Sequence, residues 1–488
     1  MSLLRKSFLS ALIAIVVAVC RFLLLAIVAR RLSSTGFGQF VYAQWLVDMI
    51  FMVFALGVNG VASRYFAEFA TDQLRRVALM RRWIPLALML PAFSGLVTVV
   101  AAILSSLALT VMGCIFLAAW AMASGWWTMQ TAALFGQQQF ELILRANITA
   151  TAIIVSAALL VPIENDSPEL FFAAMALSSL VGCGFGFRQN MAQCVGQASA
   201  LRIALPWRTI RTYGLNVWLT GLLWSLVWSR GEIPLVRLHM GDQGVAQYTA
   251  ALTLYFGAVQ GIMIWIGGVA PHLTTLWGSD QKTDAVAIAR RLSDAQMLVS
   301  GCAAILLACF GPELLALVFG ATYGESAFPL AILLMGLITL SSSAQNHLLQ
   351  IATDAKFNRN TSLAGLIVLY SVAVIAIPWL GMEGAAISRV VTMWALFLMS
   401  LFFVGQSLGH HALSGRNALV AIASVSVPVM VFAVGESQLV NRLLIGLPCL
   451  VLLGLALRDL NGNLVVKDVI NNVWPRFARE VSPTRHVR

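Results

Sequence analysis

Apolar runs about 20 residues long follow one another through this sequence from residue 8 to residue 457, separated by polar turns. At a helical rise of about 1.5 Å per residue, each run is long enough to cross a hydrocarbon layer roughly 30 Å thick. No water reaches backbone N–H and C=O groups inside that layer, so only helices and closed barrels cross it. These runs are continuously apolar rather than alternating at every second residue, which is the pattern of a helix. The composition agrees. Only 10% of residues are charged and 60% are hydrophobic, against about a quarter charged in soluble domains. The sequence predicts an all-α polytopic membrane protein and excludes a soluble one.

Fourteen spans can be drawn: 8–29, 40–61, 83–105, 109–133, 146–163, 169–187, 213–235, 247–271, 297–319, 328–351, 362–380, 384–405, 418–434 and 439–457. The third and fourth are divided only near Ser105–Leu109, and the two after residue 410 are short. Arg5 and Lys6 precede the first run as they would a signal peptide. That run continues past any plausible h-region, and no cleavage site leads into a polar mature domain, so it reads as a retained span. Loops on the cytoplasmic side are enriched in Lys and Arg. With the N-terminus in the cytoplasm, 24 of the 31 Lys and Arg fall on the inner side, 6 on the outer side with Arg230 counted in its loop, and Arg21 within a span. One span missed in mid-chain would erase this bias. It therefore supports the span count and an orientation with both termini cytoplasmic. It also explains the net charge of +11 without a nucleic-acid partner.

Arg31, Leu32, Gly38 and Tyr42 follow the first span, and Arg237, Leu238, Gly244 and Tyr248 follow the seventh with identical spacing, 206 residues further on. A weaker echo, Leu380–Ala386, follows the eleventh span. Six spans separate the two copies, and an even number leaves them facing the same way. Two parallel six-helix bundles are expected, residues 1–200 and 201–410, related by a pseudo-two-fold axis along the membrane normal. Residues 411–457 would add two transmembrane helices, and residues 458–488 a basic cytoplasmic tail.

Charges within the spans are the clearest functional signal. An Arg or Asp near a helix centre costs about 2.5–3.5 kcal/mol on insertion scales, so such residues face protein or water. Arg21 and Asp48 each lie eight residues from the outer end of their span, roughly 12 Å deep. Adjacent antiparallel helices would bring them to one level as an ion pair. Such a pair is either a structural clasp or the border of a wet cavity where it meets substrate or a coupling ion. Span seven carries Asn216 near its inner end, and Arg230 and Glu232 toward its outer end. Residues two apart on a helix do not face each other, so Arg230 and Glu232 need different partners unless both sit at the membrane interface. Trp218, Trp224 and Trp228, like Trp126 and Trp127, read first as aromatic anchors or lipid-facing bulk, with sugar stacking as the alternative.

Asn59 and Arg64 end span two at the inner mouth, and Arg75, Arg76, Arg81 and Arg82 come next. Topology control is the plainer reading of that cluster, although guanidinium forks also match phosphate oxygens. Gln345 and Asn346, with His347, are further polar lining candidates in the inner half of span ten. No GxxxxGK[ST], HExxH or CxxC occurs, and the seven cysteines have no metal-ligand spacing. No outer loop is long enough to carry enzymatic chemistry. Catalytic residues, metals and cofactors are not expected.

The stretch LLLAIVARRLSSTGFGQFVYAQW, followed by GVNGVASRYFAEF, resembles the N-terminus of polysaccharide-transport proteins of the MOP superfamily, especially Wzx-type O-antigen flippases. Ala29, Arg30, Leu32, Phe37, Gly38, Phe40, Arg64, Ala67 and Glu68 fit the pattern. Glu232, then Gly244, Tyr248 and Ala251, and the stretch Tyr323–Leu334 fit the second half, so the resemblance covers about the first 400 residues. It implies two six-helix bundles in a V around a central cavity that opens to either side in turn. It further implies movement of undecaprenyl-pyrophosphate-linked oligosaccharide, an O-antigen or exopolysaccharide repeat unit, across the bacterial cytoplasmic membrane from inner to outer leaflet.

On that resemblance the cavity contacts are Arg21, Asn59, Arg64, Asn216, Arg230, Gln345 and Asn346, with Asp48 and Glu232 as coupling or ion-pair positions. The implied partners are the lipid-linked oligosaccharide, membrane lipids, a polysaccharide polymerase and a chain-length regulator, with no nucleic acid. The alternative is a lipid II flippase, or a multidrug or organic-cation antiporter of the same superfamily. An antiporter for cations would want a net acidic cavity, whereas the intramembrane charges here lean basic.

Overall fold

A computed structural model describes residues 3–69, 72–162, 166–192, 205–353, 356–408, 420–422, 425–431 and 439–449. The expected basic tail, residues 458–488, and the link around His410 and His411 lie outside the described residues. Among the described residues the regular elements are helices, and eight helical segments are long and apolar enough to cross a membrane. In chain order the α-helices are α1 (Leu3–Arg31), α2 (Ser34–Phe54), α3 (Val58–Glu68), α4 (Gln73–Leu104), α5 (Val111–Gly136), α6 (Phe140–Leu160) and α7 (Glu169–Ala192). Next come α8 (Trp207–Trp224), α9 (Ile233–Gly278), α10 (Lys282–Val318), α11 (Ala327–Leu334), α12 (Ser343–Ala352) and α13 (Lys356–Leu408). Shorter apolar helices occupy Val420–Val431 and Leu439–Cys449. We call the end of the bundle where α1 begins the near end, and the end where α1 turns into α2 the far end.

Several spans are not single straight helices. Span two breaks into α2 and α3 at Leu56 and Gly57, both at positive φ. Span seven is α8 plus a π-helical turn, Ser225–Arg230, running into α9. α9 is bent at Gly241 (φ 69°) and α13 at Gly381 (φ 60°), so each of these long helices covers a turn between two passes. Span ten passes through a 3-10 segment, Leu337–Ser342, between α11 and α12.

Local chemistry sets the helix starts. The Ser33 hydroxyl accepts from the Gly36 N–H at 3.2 Å and caps α2, satisfying one of the donors that a helix start leaves free. This cap starts α2 at Ser34, earlier than the apolar pattern alone suggests. The Asp72 carboxylate caps α4 through Arg75 N at 3.0 Å. Thr110 caps α5 and is itself tied to α7, its N–H and hydroxyl both donating to Glu169 at 2.9 Å.

Helices α1 and α3 to α7 pack mainly within the first half, with α5 against α3, α4 and α7, and α6 against α1 and α7, while α2 packs most extensively on α9. Their core includes Phe40, Trp120 and Phe172, stacked with ring centroids 5.6 to 6.2 Å apart. In the second half α9, α10, α11, α12 and α13 form the other group. The Leu439–Cys449 helix docks on α10: Arg442 is bound by both oxygens of Glu313, and Gly446 sits against Cys309. Replacing Arg442 by alanine removes charge-assisted bonds at a buried position, at a cost of about 2 kcal/mol. A lower thermal midpoint of the purified protein is the expected result; an unchanged midpoint would mean that apolar contact alone seats this helix.

The halves meet along α2–α3 and α8–α9, and glycines permit the approach at both ends. At the far end a Cβ on Gly38 would lie 1.8 Å from the Asp242 carbonyl oxygen. At the near end a Cβ on Gly57 would lie 1.9 Å from that of Gly214. The repeat motifs themselves meet at the far end. Arg237 of the second copy stacks 4.2 Å from the Tyr42 ring centroid of the first, pairs with Asp242 and donates to Ser105 O at 2.6 Å.

Trp218 bridges the two halves. Its indole N–H reaches the Met52 and Val53 carbonyls at 3.0 and 3.1 Å. The last turn of a helix leaves its carbonyls without intrahelical donors, and the break after α2 creates such a turn within the span. Trp218 of the opposite half supplies the donor.

Candidate functional site

Three charged side chains from three helical elements occupy the middle of the molecule. Gln44 and Asp48 stand one turn apart on α2, on the same face. That face turns to the second half: Gln44 Oε1 accepts from Arg230 Nη1 at 3.5 Å, and Met49 and Met52 next to it touch Ser225 and Trp218. Asp48 lies in the field of Arg21 and Arg230, and Arg230 in the field of Asp48 and Arg21. The side chains of Arg21 and Asp48 are exposed and Arg230 is half-buried. Because the Asp48 face is the one that meets α8 and α9, its exposure is to open space between the halves.

The direct Arg21–Asp48 ion pair expected from the sequence does not form; no salt bridge joins them among the described residues. There are two physical reasons. With α2 beginning at Ser34, Asp48 lies fourteen residues from the helix start and Arg21 ten from the end of α1, a difference of about 6 Å in depth. In addition, α1 packs chiefly on α6 and α9 rather than along α2. The result is an open trio rather than a closed pair: two guanidiniums and one carboxylate, with the Gln44 amide beside them. Its net charge is +1, and its guanidinium forks are free to take further acceptors.

Arg64 stands at the near end, paired with Glu68 at 3.5 Å and stacked 4.4 Å from the Tyr213 ring centroid of α8. Asn59 is half-buried beside the helix break, its side-chain oxygen accepting from Gly60 N at 2.9 Å. Asn216 is exposed on α8. Gln345 is buried, and Asn346 bonds Ser342 at 3.2 Å and accepts from Ser400, so its hydrogen bonds stay within the second half.

Glu232 is in an ion pair, and its partner is Arg389 of α13. Arg389 Nε and Nη2 meet the two carboxylate oxygens at 2.8 and 2.7 Å, and the Tyr248 hydroxyl donates to Oε1. Both charges are fully buried. Sequence reasoning missed Arg389. It falls five residues inside the apolar run from 384, which was a usable signal, but a charge count by loops assigns it to the outer side. Breaking such a pair from one side leaves an unpaired buried charge and costs about 3–5 kcal/mol. Glu232→Ala is therefore expected to lower the thermal midpoint sharply, and a wild-type midpoint would contradict the buried pair.

Helix order, broken spans and the paired halves define a polytopic helical membrane protein whose fold is shared with solved membrane transporters. A multidrug resistance MATE family transporter of the MOP superfamily, in an inward-facing conformation, matches with a TM-score of 0.64 over 84% of this chain and 98% of its own, at 16% identity. The lipid II flippase MurJ, in an inward closed conformation, matches with a TM-score of 0.62 over 94% and 99%, at 12% identity. In sequence, the capsular polysaccharide biosynthesis protein CapF of Staphylococcus aureus is 28% identical over 136 residues, 27% of this chain. That match spans 34% of CapF, about a third of its length. No protein-family profile matches the sequence.

Proposed function

We propose that the protein is a flippase for undecaprenyl-pyrophosphate-linked oligosaccharides. On this reading it moves O-antigen or exopolysaccharide repeat units from the inner to the outer leaflet of the bacterial cytoplasmic membrane. The near end, with both termini, faces the cytoplasm. The observation that carries the reading is the open, net-basic trio Arg21, Asp48 and Arg230 between the two halves. A polar anionic headgroup needs a cationic, hydrated place at mid-membrane, and planar guanidiniums bind phosphate oxygens in bidentate fashion. The polyprenyl chain is as apolar as lipid and stays in the bilayer. The capsular polysaccharide role in the name of CapF and the lipid-linked substrate in the name of MurJ favour the same substrate class.

In this mechanism Arg64 and Asn59 meet the headgroup at the cytoplasmic mouth. Arg21 and Arg230 neutralise the pyrophosphate in the middle, while Asp48 holds the two arginines in register when the site is empty. Asn216, which is exposed, supplies an uncharged contact for sugars, whereas Gln345 and Asn346 are held within the second half. Residues 1–200 and 201–410 rock against each other, residues 411–457 add two transmembrane helices, and no covalent bond is made or broken. A polysaccharide polymerase and a chain-length regulator would act on the product. A lipid II flippase is the second reading, favoured by the likeness to MurJ over 94% of the chain. An organic-cation antiporter fits less well, since a trio of net charge +1 repels cations.

The test uses cells lacking the gene. Intact lipid-linked repeat units should accumulate on the cytoplasmic face, protected from a periplasmic glycosidase, and surface polysaccharide should vanish. Accumulated lipid II instead would favour the second reading. Unchanged polysaccharide with new sensitivity to cationic drugs would overturn both.

A further inference from the structure

We infer that Arg389 is a positioning residue, which holds the π-helical turn Ser225–Arg230 in the shape that presents Arg230 to the space between the halves. The choice of ligand rests on the flippase reading; the geometry does not.

A π-helical turn inserts one residue into a helix and rotates the residues after it by about 100°. It also leaves carbonyls without their usual donors, which a membrane interior tolerates only where other groups supply them. Two side chains of α13 do so here. Arg389 Nη2 donates to Ser229 O at 2.8 Å, and the Tyr370 hydroxyl donates to Gly231 O at 2.9 Å. The same guanidinium grips Glu232, at the junction of the turn with α9, through Nε and Nη2. Tyr248 holds the carboxylate from α9, and the Phe256 ring lies 5.4 Å from the guanidinium carbon. Arg230 is the residue between these two anchor points. Its own side chain leaves the cluster and crosses to Gln44 of the other half.

Stability alone does not explain this arrangement. Apolar residues of similar volume often replace a buried ion pair without loss. Arg389 also keeps one buried nitrogen, Nη1, with no acceptor among the described residues. What the clasp supplies, and an apolar filling cannot, is a fixed shape for the turn. Without it the turn can relax to an α-helical register and swing Arg230 away from α2.

The experiment compares purified full-length wild type with the double variant Glu232→Leu/Arg389→Met, which leaves no unpaired buried charge. Thermal midpoint and binding of undecaprenyl pyrophosphate in nanodiscs are measured. The expected result is a midpoint close to wild type with affinity reduced at least tenfold, and no further loss when Arg230→Ala is added, as for residues that act as one unit. A stable double variant with wild-type affinity would overturn the inference.

Should the double variant not fold, Arg389→Lys serves. It keeps the charge opposite Glu232 but cannot span Glu232 and Ser229 together, so it too should weaken binding, and wild-type affinity would count against the inference. If the wild type itself does not bind undecaprenyl pyrophosphate, the flippase reading fails instead. The geometry is then read in a background without other cysteines, with Gln44→Cys and Arg230→Cys bridged by a short bifunctional thiol reagent. Bridging that is efficient with Arg389 and lost with Arg389→Lys supports the positioning role; equal bridging in both overturns it.

Discussion

Gly38→Val should abolish transport while the protein remains folded and abundant in the membrane. A Cβ at that position would lie 1.8 Å from the Asp242 carbonyl oxygen, a separation no atom pair tolerates, so the halves cannot close at the far end. The clash acts on the closed state alone. If it costs only about 3 kcal/mol, it depopulates that state more than 100-fold. Gly214→Val should act in the same direction but more mildly at the near end, where a Cβ would lie 3.0 Å from a Val61 methyl and 3.9 Å from the Gly57 carbonyl oxygen. Gly57 itself is a poorer choice, because its φ of 75° strains any other residue whatever the space.

The two variants should therefore be shifted toward opposite states. A cysteine placed at Asp48 in each background reads this out. With Gly38→Val it should be labelled by a membrane-impermeant thiol reagent from the far side only, and with Gly214→Val mainly from the near side. Equal labelling from both sides, or normal transport by Gly38→Val, would show that these contacts are not where the halves close.

Arg230→Ala and Arg21→Ala should each lower export by roughly 10- to 150-fold, with little change in stability. Each removes charge-assisted hydrogen bonds to an anionic headgroup, worth about 1.5–3 kcal/mol, from side chains that are exposed or half-buried and need not be packed. Lysine should restore Arg21 in part, because it returns the charge without the fork. Asp48→Asn is the informative opposite. It leaves two arginines without a counter-charge, so headgroup affinity should rise while turnover falls, as release becomes the slow step. Binding of undecaprenyl pyrophosphate and the rate of surface polysaccharide appearance separate these two effects. If Asp48→Asn weakens binding as the arginine variants do, the carboxylate contacts substrate rather than balancing the arginines.

The spans were legible because crossing a membrane is a requirement on length and apolarity, and each run meets it alone. The 206-residue repeat was legible because the same residues recur at the same spacing, although the copies do different work: Tyr42 stacks on Arg237, whereas Tyr248 donates to Glu232. The structure brings the two copies against each other, through Tyr42 with Arg237 and Gly38 with Asp242.

The site was less so. Arg21, Asp48 and Arg230 stood out as charges out of place, but their relation needed the start of α2 and the choice of α6 and α9 as neighbours of α1. Arg389 lay within a drawn span and was still counted with a loop, since no sequence position says whether a charge near a helix end points to water or to a buried carboxylate. Trp218 looked like any interfacial tryptophan until the break at Leu56 and Gly57 exposed two carbonyls opposite it.

By itself, then, the sequence determined that this chain is a helical membrane protein built twice over, with charges in its middle. Those features arise from hydrophobic length, spacing and the cost of burying a charge, all properties of one segment at a time. Only the tertiary structure decided which charges are clasped and which stand open. That outcome depends on how far each helix is shifted and turned against its neighbours, and a shift of one turn or an inserted π residue is enough to change it.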